Sequence, residues 1–153
     1  MKNNKSILLL FCILICAVSC KKEVPIHPEI PRDYYIGTYY GNKTCSQGIW
    51  PNVYIIISES LKGDSYVTIK GLTGSSYHDL EAVIKNNKLI INDQSFTVFG
   101  YSPGGSQWEY LSIWNGLGVL DTLKNEIKFN YREVRFHSST TYTYDWITVG
   151  QKQ

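Results

Sequence analysis

Apolar and polar residues follow three successive regimes along this chain. Residues 7–18 (ILLLFCILICAV) are apolar without a break, and residues 21–33 (KKEVPIHPEIPRD) carry Pro25, Pro28 and Pro31 at a three-residue spacing. From Tyr34 onward apolar positions recur with period two, and no window of helix length places them three and four residues apart, so this part reads as strands. The alternation predicts nine of them, over 34–40, 53–58, 65–72, 80–85, 88–92, 95–99, 108–115, 126–134 and 141–149. Turn chemistry lies between them at Gly63-Asp64, Asn86-Asn87, Asn92-Asp93, Pro103-Gly104-Gly105, Asn115-Gly116, Lys124-Asn125 and Ser138-Ser139. Asn86-Asn87 is the clearest, because Asn tolerates the positive φ of a two-residue hairpin. Evenly spaced strands joined by short turns pair in sequence, and closure removes exposed edges. The expectation is therefore an all-β fold, an antiparallel meander β-barrel of about eight or nine strands, with a two-sheet β-sandwich as the alternative. Val53, Ile55, Ile57, Val67, Ile69, Leu89, Ile91, Ile127 and Phe129 supply its interior.

The first regime has the shape of a signal helix. Residues 1–6 carry Lys2 and Lys5 and no acid, and the 12 apolar residues that follow fall short of the roughly 20 a spanning helix needs. Ala17-Val18-Ser19-Cys20 resembles the lipobox read by lipoprotein signal peptidase, with a small residue directly before the cysteine and Ala17 where Leu is usual. Cys16 and Cys12 follow Ile15 and Phe11, too bulky for that cleavage pocket. The resemblance implies cleavage before Cys20 and acylation of its sulfur by palmitate-type chains. The expected organisation is a leader over 1–19, a lipidated cysteine and Pro-rich tether over 20–33, and a β domain over 34–153. Each buried CH₂ contributes ~0.8 kcal/mol, so two or three chains hold the protein on a membrane lastingly. In extended polyproline geometry, at ~3.1 Å per residue, the 13 residues from Lys21 to Asp33 reach about 40 Å. Lys21-Lys22-Glu23 only loosely resembles surface-export signals, with Lys where a second acid is expected. The expected location is the cell envelope, at the outer membrane.

Charge and chemistry-bearing residues narrow the function classes. The 15 Lys and Arg against 13 Asp and Glu include Lys2 and Lys5, so after the leader the two signs balance at 13 each. No basic stripe remains to neutralise phosphates, which argues against nucleic acid. Of four cysteines, Cys12 and Cys16 fall in the leader and Cys20 at the cleavage point, leaving Cys45 as a buried small residue or a free thiol. His27, His78 and His137 have no partner at metal-ligand spacing. No Gly-x-Ser-x-Gly occurs; Ser75-Ser76 and Ser138-Ser139 lie in polar turn-like segments. Gly104-Gly105 and Gly116-x-Gly118 read as turns rather than anion cradles. Asp79 with Glu81, and Asp121 with Glu126, read as solvated carboxylates rather than an acid and base pair. The residues thus point to no catalysis, no metal and no cofactor.

Aromatic content is what stands out. Twelve Tyr, four Trp and four Phe follow the leader, and Trp108, Tyr110 and Trp114 share one parity, as do Tyr142, Tyr144 and Trp146. Leu111 and Ile113 hold the opposite parity of the first set, so both faces there are apolar. One reading fills the barrel with these rings; the other assembles Tyr101, Trp108, Tyr110 and Trp114, beside the loop 102–107, into a binding patch or cavity mouth. Ile36-Gly37-Thr38-Tyr39-Tyr40-Gly41 as a first strand, with a meander ending in 141–151, resembles the small lipocalin-like (calycin-like) envelope lipoproteins of Bacteroidota type, with Tyr39 where lipocalins carry the Trp of Gly-x-Trp. That resemblance implies a barrel whose interior or rim binds a ligand or a protein, with no catalytic residues to carry over. The expected role is a non-catalytic binding or accessory lipoprotein, for a small hydrophobic or sugar ligand. The alternatives are a protein-binding inhibitor or accessory subunit of an envelope complex and, less favoured, an enzyme.

Overall fold

The computed structural model describes residues 29–73, 78–102, 105–137 and 140–153, with backbone only at 98–102, 105–110 and 137. The leader over 1–19, Cys20, His27 and the tether as far as residue 28 lie outside the described residues. Ser75-Ser76, Pro103-Gly104 and Ser138-Ser139 do as well.

All nine expected strands form: β1 (Gly37–Cys45), β2 (Gly48–Glu59), β3 (Tyr66–Lys70), β4 (Leu80–Lys85), β5 (Lys88–Ile91), β6 (Gln94–Ser102), β7 (Gly105–Asp121), β8 (Glu126–His137) and β9 (Thr140–Lys152). Neighbours pair antiparallel, β9 returns to β1 across Tyr39↔Lys152 to Thr44↔Ile147, and β5 pairs with β7. These last two pairings close eight strands into a barrel and exclude the two-sheet alternative. β6 is the additional strand. It continues the register of β5 along β7, with Ile91 opposite Gly116 and Gln94 opposite Ile113, so one long β7 is shared between two collinear strands. Where β6 leaves the ring, the Gln94 carboxamide accepts from the Glu81 N–H at 2.9 Å and donates to its carbonyl at 2.7 Å, standing in for a strand pairing with β4.

Alternation places the core inside. Tyr39, Ile55, Ile57, Val67, Ile69, Leu80, Leu89, Ile91, Ile113, Ile127 and Phe129 are buried, whereas Lys70, Lys85, Lys88, Lys128 and Arg132 are exposed outside. Among the described residues no helix is long and apolar enough to cross a membrane.

The barrel has a plugged base and an open mouth. At the base lie the short turns Asn86-Asn87, with φ of 51° and 60°, and the β7–β8 turn ending at Asn125. Residues expected to begin the first strand instead form a helical turn, α1 (Arg32–Tyr35), and β1 starts at Gly37. The strand expectation over 34–40 is thus corrected at its start: Pro31 opens the turn, whose Tyr34 N–H donates to the Pro31 carbonyl at 3.1 Å. The turn carries the Tyr35 ring into the base, where it is fully buried and its carbonyl accepts from the Tyr39 hydroxyl at 2.9 Å. Arg32 ties the turn to Glu59 and Asp64 at 3.0 and 3.2 Å.

Asn115-Gly116 and Gly116-x-Gly118 are not turns; they lie inside the 17-residue β7. Asn115 has a φ of 52°, and the register on β8 shifts between Trp114 and Leu117, so the signal marks a β-bulge. Asp93 accepts the freed Asn115 N–H at 3.1 Å. Gly118 then leaves room for the Phe129 ring, since a Cβ there would sit 2.5 Å from a ring carbon.

Candidate functional site

The mouth is built by four features of the chain. In β1, inward alternation runs from Tyr39 through Gly41 to Lys43, which sends a lysine into the interior. In β8 it runs Ile127, Phe129, Tyr131, Glu133, Arg135, so the apolar parity ends in two charged residues. In β9 it sets Tyr144, Trp146 and Thr148 on the same wall. In β2, Asn52 takes a φ of 63° and the register shifts, Gly41 facing Val53 but Lys43 facing Trp50, so the bulge swings Trp50 onto the inward parity.

The chain after β3 folds back over this end. Gly71 makes the turn with φ 81°, and a Cβ there would lie 2.0 Å from the Tyr54 carbonyl oxygen, so only glycine fits without displacement. Leu72 and Thr73 are consequently buried, and their carbonyls are received by the inward side chains. The Leu72 oxygen accepts from the Tyr131 hydroxyl at 2.5 Å and from Lys43 Nζ at 3.1 Å. The Thr73 oxygen lies 3.5 Å from Arg135 Nη2.

Lys43, Glu133 and Arg135 form an ionic chain, buried at Lys43 and Glu133 and partly exposed at Arg135. Glu133 is fully buried; its Oε2 lies 3.4 Å from Lys43 Nζ, and its Oε1 accepts from Arg135 Nε at 2.5 Å. The Lys43 ammonium also lies 3.8 Å from the Trp146 ring centroid and 5.4 Å from that of Tyr131, cation–π distances in a desolvated setting. Burial lowers the Lys43 ammonium below the usual lysine range, with Glu133 opposing that shift. Burial, reinforced by Glu133, raises the Tyr131 phenol.

Between the folded-back segment and the β1–β2 and β8–β9 hairpins is a half-open cavity of about 320 Å³, at the lower end of small-molecule sites. Lys43, Gln47, Val53 and Arg135 line it together with Trp50, Tyr144 and Trp146. Trp50 meets Trp146 edge to face at 4.9 Å, and Tyr144 lies 5.8 Å from Trp146. The indole N–H of Trp146 is buried with no partner among the described residues. Such a wall offers ring surface beside a paired but unequal set of charges, an arrangement suited to holding an amphipathic molecule.

Of the four expected site residues, Trp114 alone has its side chain among the described residues. Trp114 lies on the outer face opposite Arg132, 45% exposed, and is not part of this cavity. Tyr101, Trp108 and Tyr110 are paired through their backbones in the β6–β7 hairpin, opposite Ser106, Phe99 and Thr97, and their side chains lie outside the described residues. The second aromatic set does share one face: Tyr144 and Trp146 line the cavity, while Tyr142 lies nearer the hairpin tip, exposed. Lys43, Glu133, Arg135 and Trp50 were not singled out by sequence, although charged residues on the parity of Tyr39 and Phe129 are a visible signal. His78 stacks on Phe96 at 4.9 Å. Cys45 is half-buried against the core, its sulfur accepting from the Gln47 N–H at 3.4 Å. Among the described residues no three His, Cys, Asp or Glu side chains gather as a metal site.

Comparison with known proteins gives no family for the chain: no family model matches it, and neither a curated protein nor a solved structure does.

Proposed function

We propose that this chain is a membrane-anchored envelope lipoprotein whose barrel binds a small hydrophobic or sugar ligand at its mouth, without catalysis. The observation that carries the binding reading is the cavity beside Trp50, Tyr144 and Trp146, open to solvent at the end of the barrel away from α1. Ring faces bind apolar molecules and the apolar faces of sugars alike. The anchoring reading rests on Lys2, Lys5, the apolar run 7–18 and Ala17-Val18-Ser19-Cys20. The two readings fit together spatially. The chain comes into the barrel at its plugged base, so a lipid tether joined there leaves the mouth at the other end unobstructed. The resemblance to lipocalin-like lipoproteins, and with it an outer-membrane location, agrees with this arrangement.

One preparation tests both parts. Protein purified from its native envelope is expected to begin at an acylated Cys20 by intact mass, and to carry a small molecule in native mass spectra that is lost in Trp50→Ala. A mature chain without lipid that starts elsewhere overturns the anchoring. A ligand-free protein whose tryptophan fluorescence answers to no apolar or sugar compound overturns the binding.

A second reading, docking of an envelope protein partner, has its own observation. On the outer face of β1 and β2 the Tyr40 and Tyr54 rings pack at 4.8 Å beside Ile56, with Tyr54 60% and Ile56 43% exposed. Crosslinking in native envelopes that captures a partner through this face and not through the mouth would favour it.

A further inference from the structure

We infer that the mouth cavity selects a ring-bearing carboxylate, with Arg135 receiving the acid group and Trp50 the ring; this deepens the ligand-binding reading above and rests on it. The charges around the cavity do not cancel. Lys43 and Arg135 share the single carboxylate of Glu133, whose two oxygens are each committed to one of them. Among the described residues one positive charge is left over.

That surplus resides on Arg135. Lys43 is turned inward, its side chain 5% exposed, and is held by the Leu72 carbonyl, Glu133 and the Trp146 face. Arg135 keeps 40% of its side chain exposed. Its Nε is taken by Glu133 and, among the described residues, its Nη2 meets the Thr73 carbonyl at 3.5 Å, which leaves guanidinium donors for a planar acceptor of two oxygens. Donors exposed to this extent are solvated. A molecule that fills the cavity displaces that water. If neutral, it leaves an uncompensated cation in a low-dielectric pocket; a carboxylate supplies the missing charge and hydrogen bonds together. Ring placement follows from what is already occupied: the Lys43 ammonium covers a face of Trp146, whereas Trp50 is 43% exposed at the same cavity.

The test uses the full mature chain and two matched pairs of probes, 2-naphthoate with 2-naphthamide and glucuronate with glucose, followed by tryptophan fluorescence and by the indole N–H resonances. In at least one pair the acid is expected to bind roughly 10- to 100-fold more tightly than its neutral twin, as for a hydrogen bond to a charged group. The pair that responds tells an aromatic acid from a sugar acid. The acid's advantage should vanish in Arg135→Gln and persist in Arg135→Lys, with circular dichroism confirming that both variants keep the sheet. Equal or tighter binding of the neutral twin, or an acid preference that survives Arg135→Gln, overturns the inference while leaving ligand binding standing. If no probe binds, the cavity reading itself falls along with it.

Discussion

Glu133→Gln and Lys43→Met remove opposite ends of one ion pair, yet their costs should differ. With the carboxylate gone, the Lys43 ammonium stays inside the barrel, 5% exposed at its side chain, with a carbonyl and a ring but no counter-charge. Removing one partner of a buried pair in this way costs about 3–5 kcal/mol. With the ammonium gone, Glu133 still holds Arg135 Nε at 2.5 Å, and the Leu72 carbonyl still accepts from the Tyr131 hydroxyl at 2.5 Å. What is lost is two hydrogen bonds, to the Leu72 carbonyl and to Glu133 Oε2, and the contact with Trp146, about 2–3 kcal/mol. The double variant should cost less than Glu133→Gln alone, because no orphaned ammonium remains. Urea unfolding at neutral pH measures all three against a domain stability on the order of 5–15 kcal/mol. A pH series adds a signed check. Burial holds the folded-state Lys43 below its ordinary 10.5, so the unfolded chain binds the extra proton and stability rises with pH through that interval. The deficit of Glu133→Gln, which loses the charge opposing that shift, should therefore shrink as pH rises toward 10.5. Equal costs for the two single variants, or a double variant that sums them, would refute the reasoning.

Three further outcomes follow from the barrel. Gly118→Ala places a methyl 2.5 Å from the Phe129 ring and should cost about 1–3 kcal/mol by thermal unfolding, with Phe129→Leu in the same chain recovering part of it. Asn115→Gly should be nearly neutral and Asn115→Val should cost about 1–2 kcal/mol, since φ at the bulge is 52°; equal stabilities would mean the bulge relaxes. Burial raises the Tyr39 phenol from 10 to about 12 and raises Tyr35 and Tyr131 as well. The unfolded chain therefore releases these protons first, and stability should fall as pH climbs from 10 toward 12, with the buried phenolates appearing in absorbance only as the barrel opens.

Much of the architecture was legible because period-two alternation is a direct record of which side faces inward. Ile55, Ile57, Val67, Ile69, Leu89, Ile91, Ile127 and Phe129 were placed inside by parity and are buried, while Val53, placed with them, is only partly buried at the cavity. The Asn86-Asn87 hairpin was legible because few residues accept positive φ. The same chemistry misled at Asn115, since a bulge and a turn ask for the same backbone angle and only the pairing of β7 with both β5 and β8 tells them apart. Strand bounds were displaced where hairpins run past the barrel, as at the start of β9, where residues 140–143 are all exposed and alternation carries no inward side to record. The mouth was the least legible part. Trp50 reaches it only through the Asn52 bulge, which reverses the parity that alternation from Val53 would assign. Lys43 and Glu133 lie 90 residues apart, and nothing local links them until β1 and β8 both flank β9.

The pairing of β1 with β9 has a consequence for gene order. Because the first and last strands are hydrogen-bonded neighbours, and Gln153 donates from its backbone to the Thr38 carbonyl at 2.9 Å, a short peptide is enough to splice the two ends. A circularly permuted chain, cut in the exposed β7–β8 turn between Thr122 and Leu123, should retain the same ring of strands. A reporter fused behind Gln153 would ride beneath the barrel, far from any guest at the opposite rim.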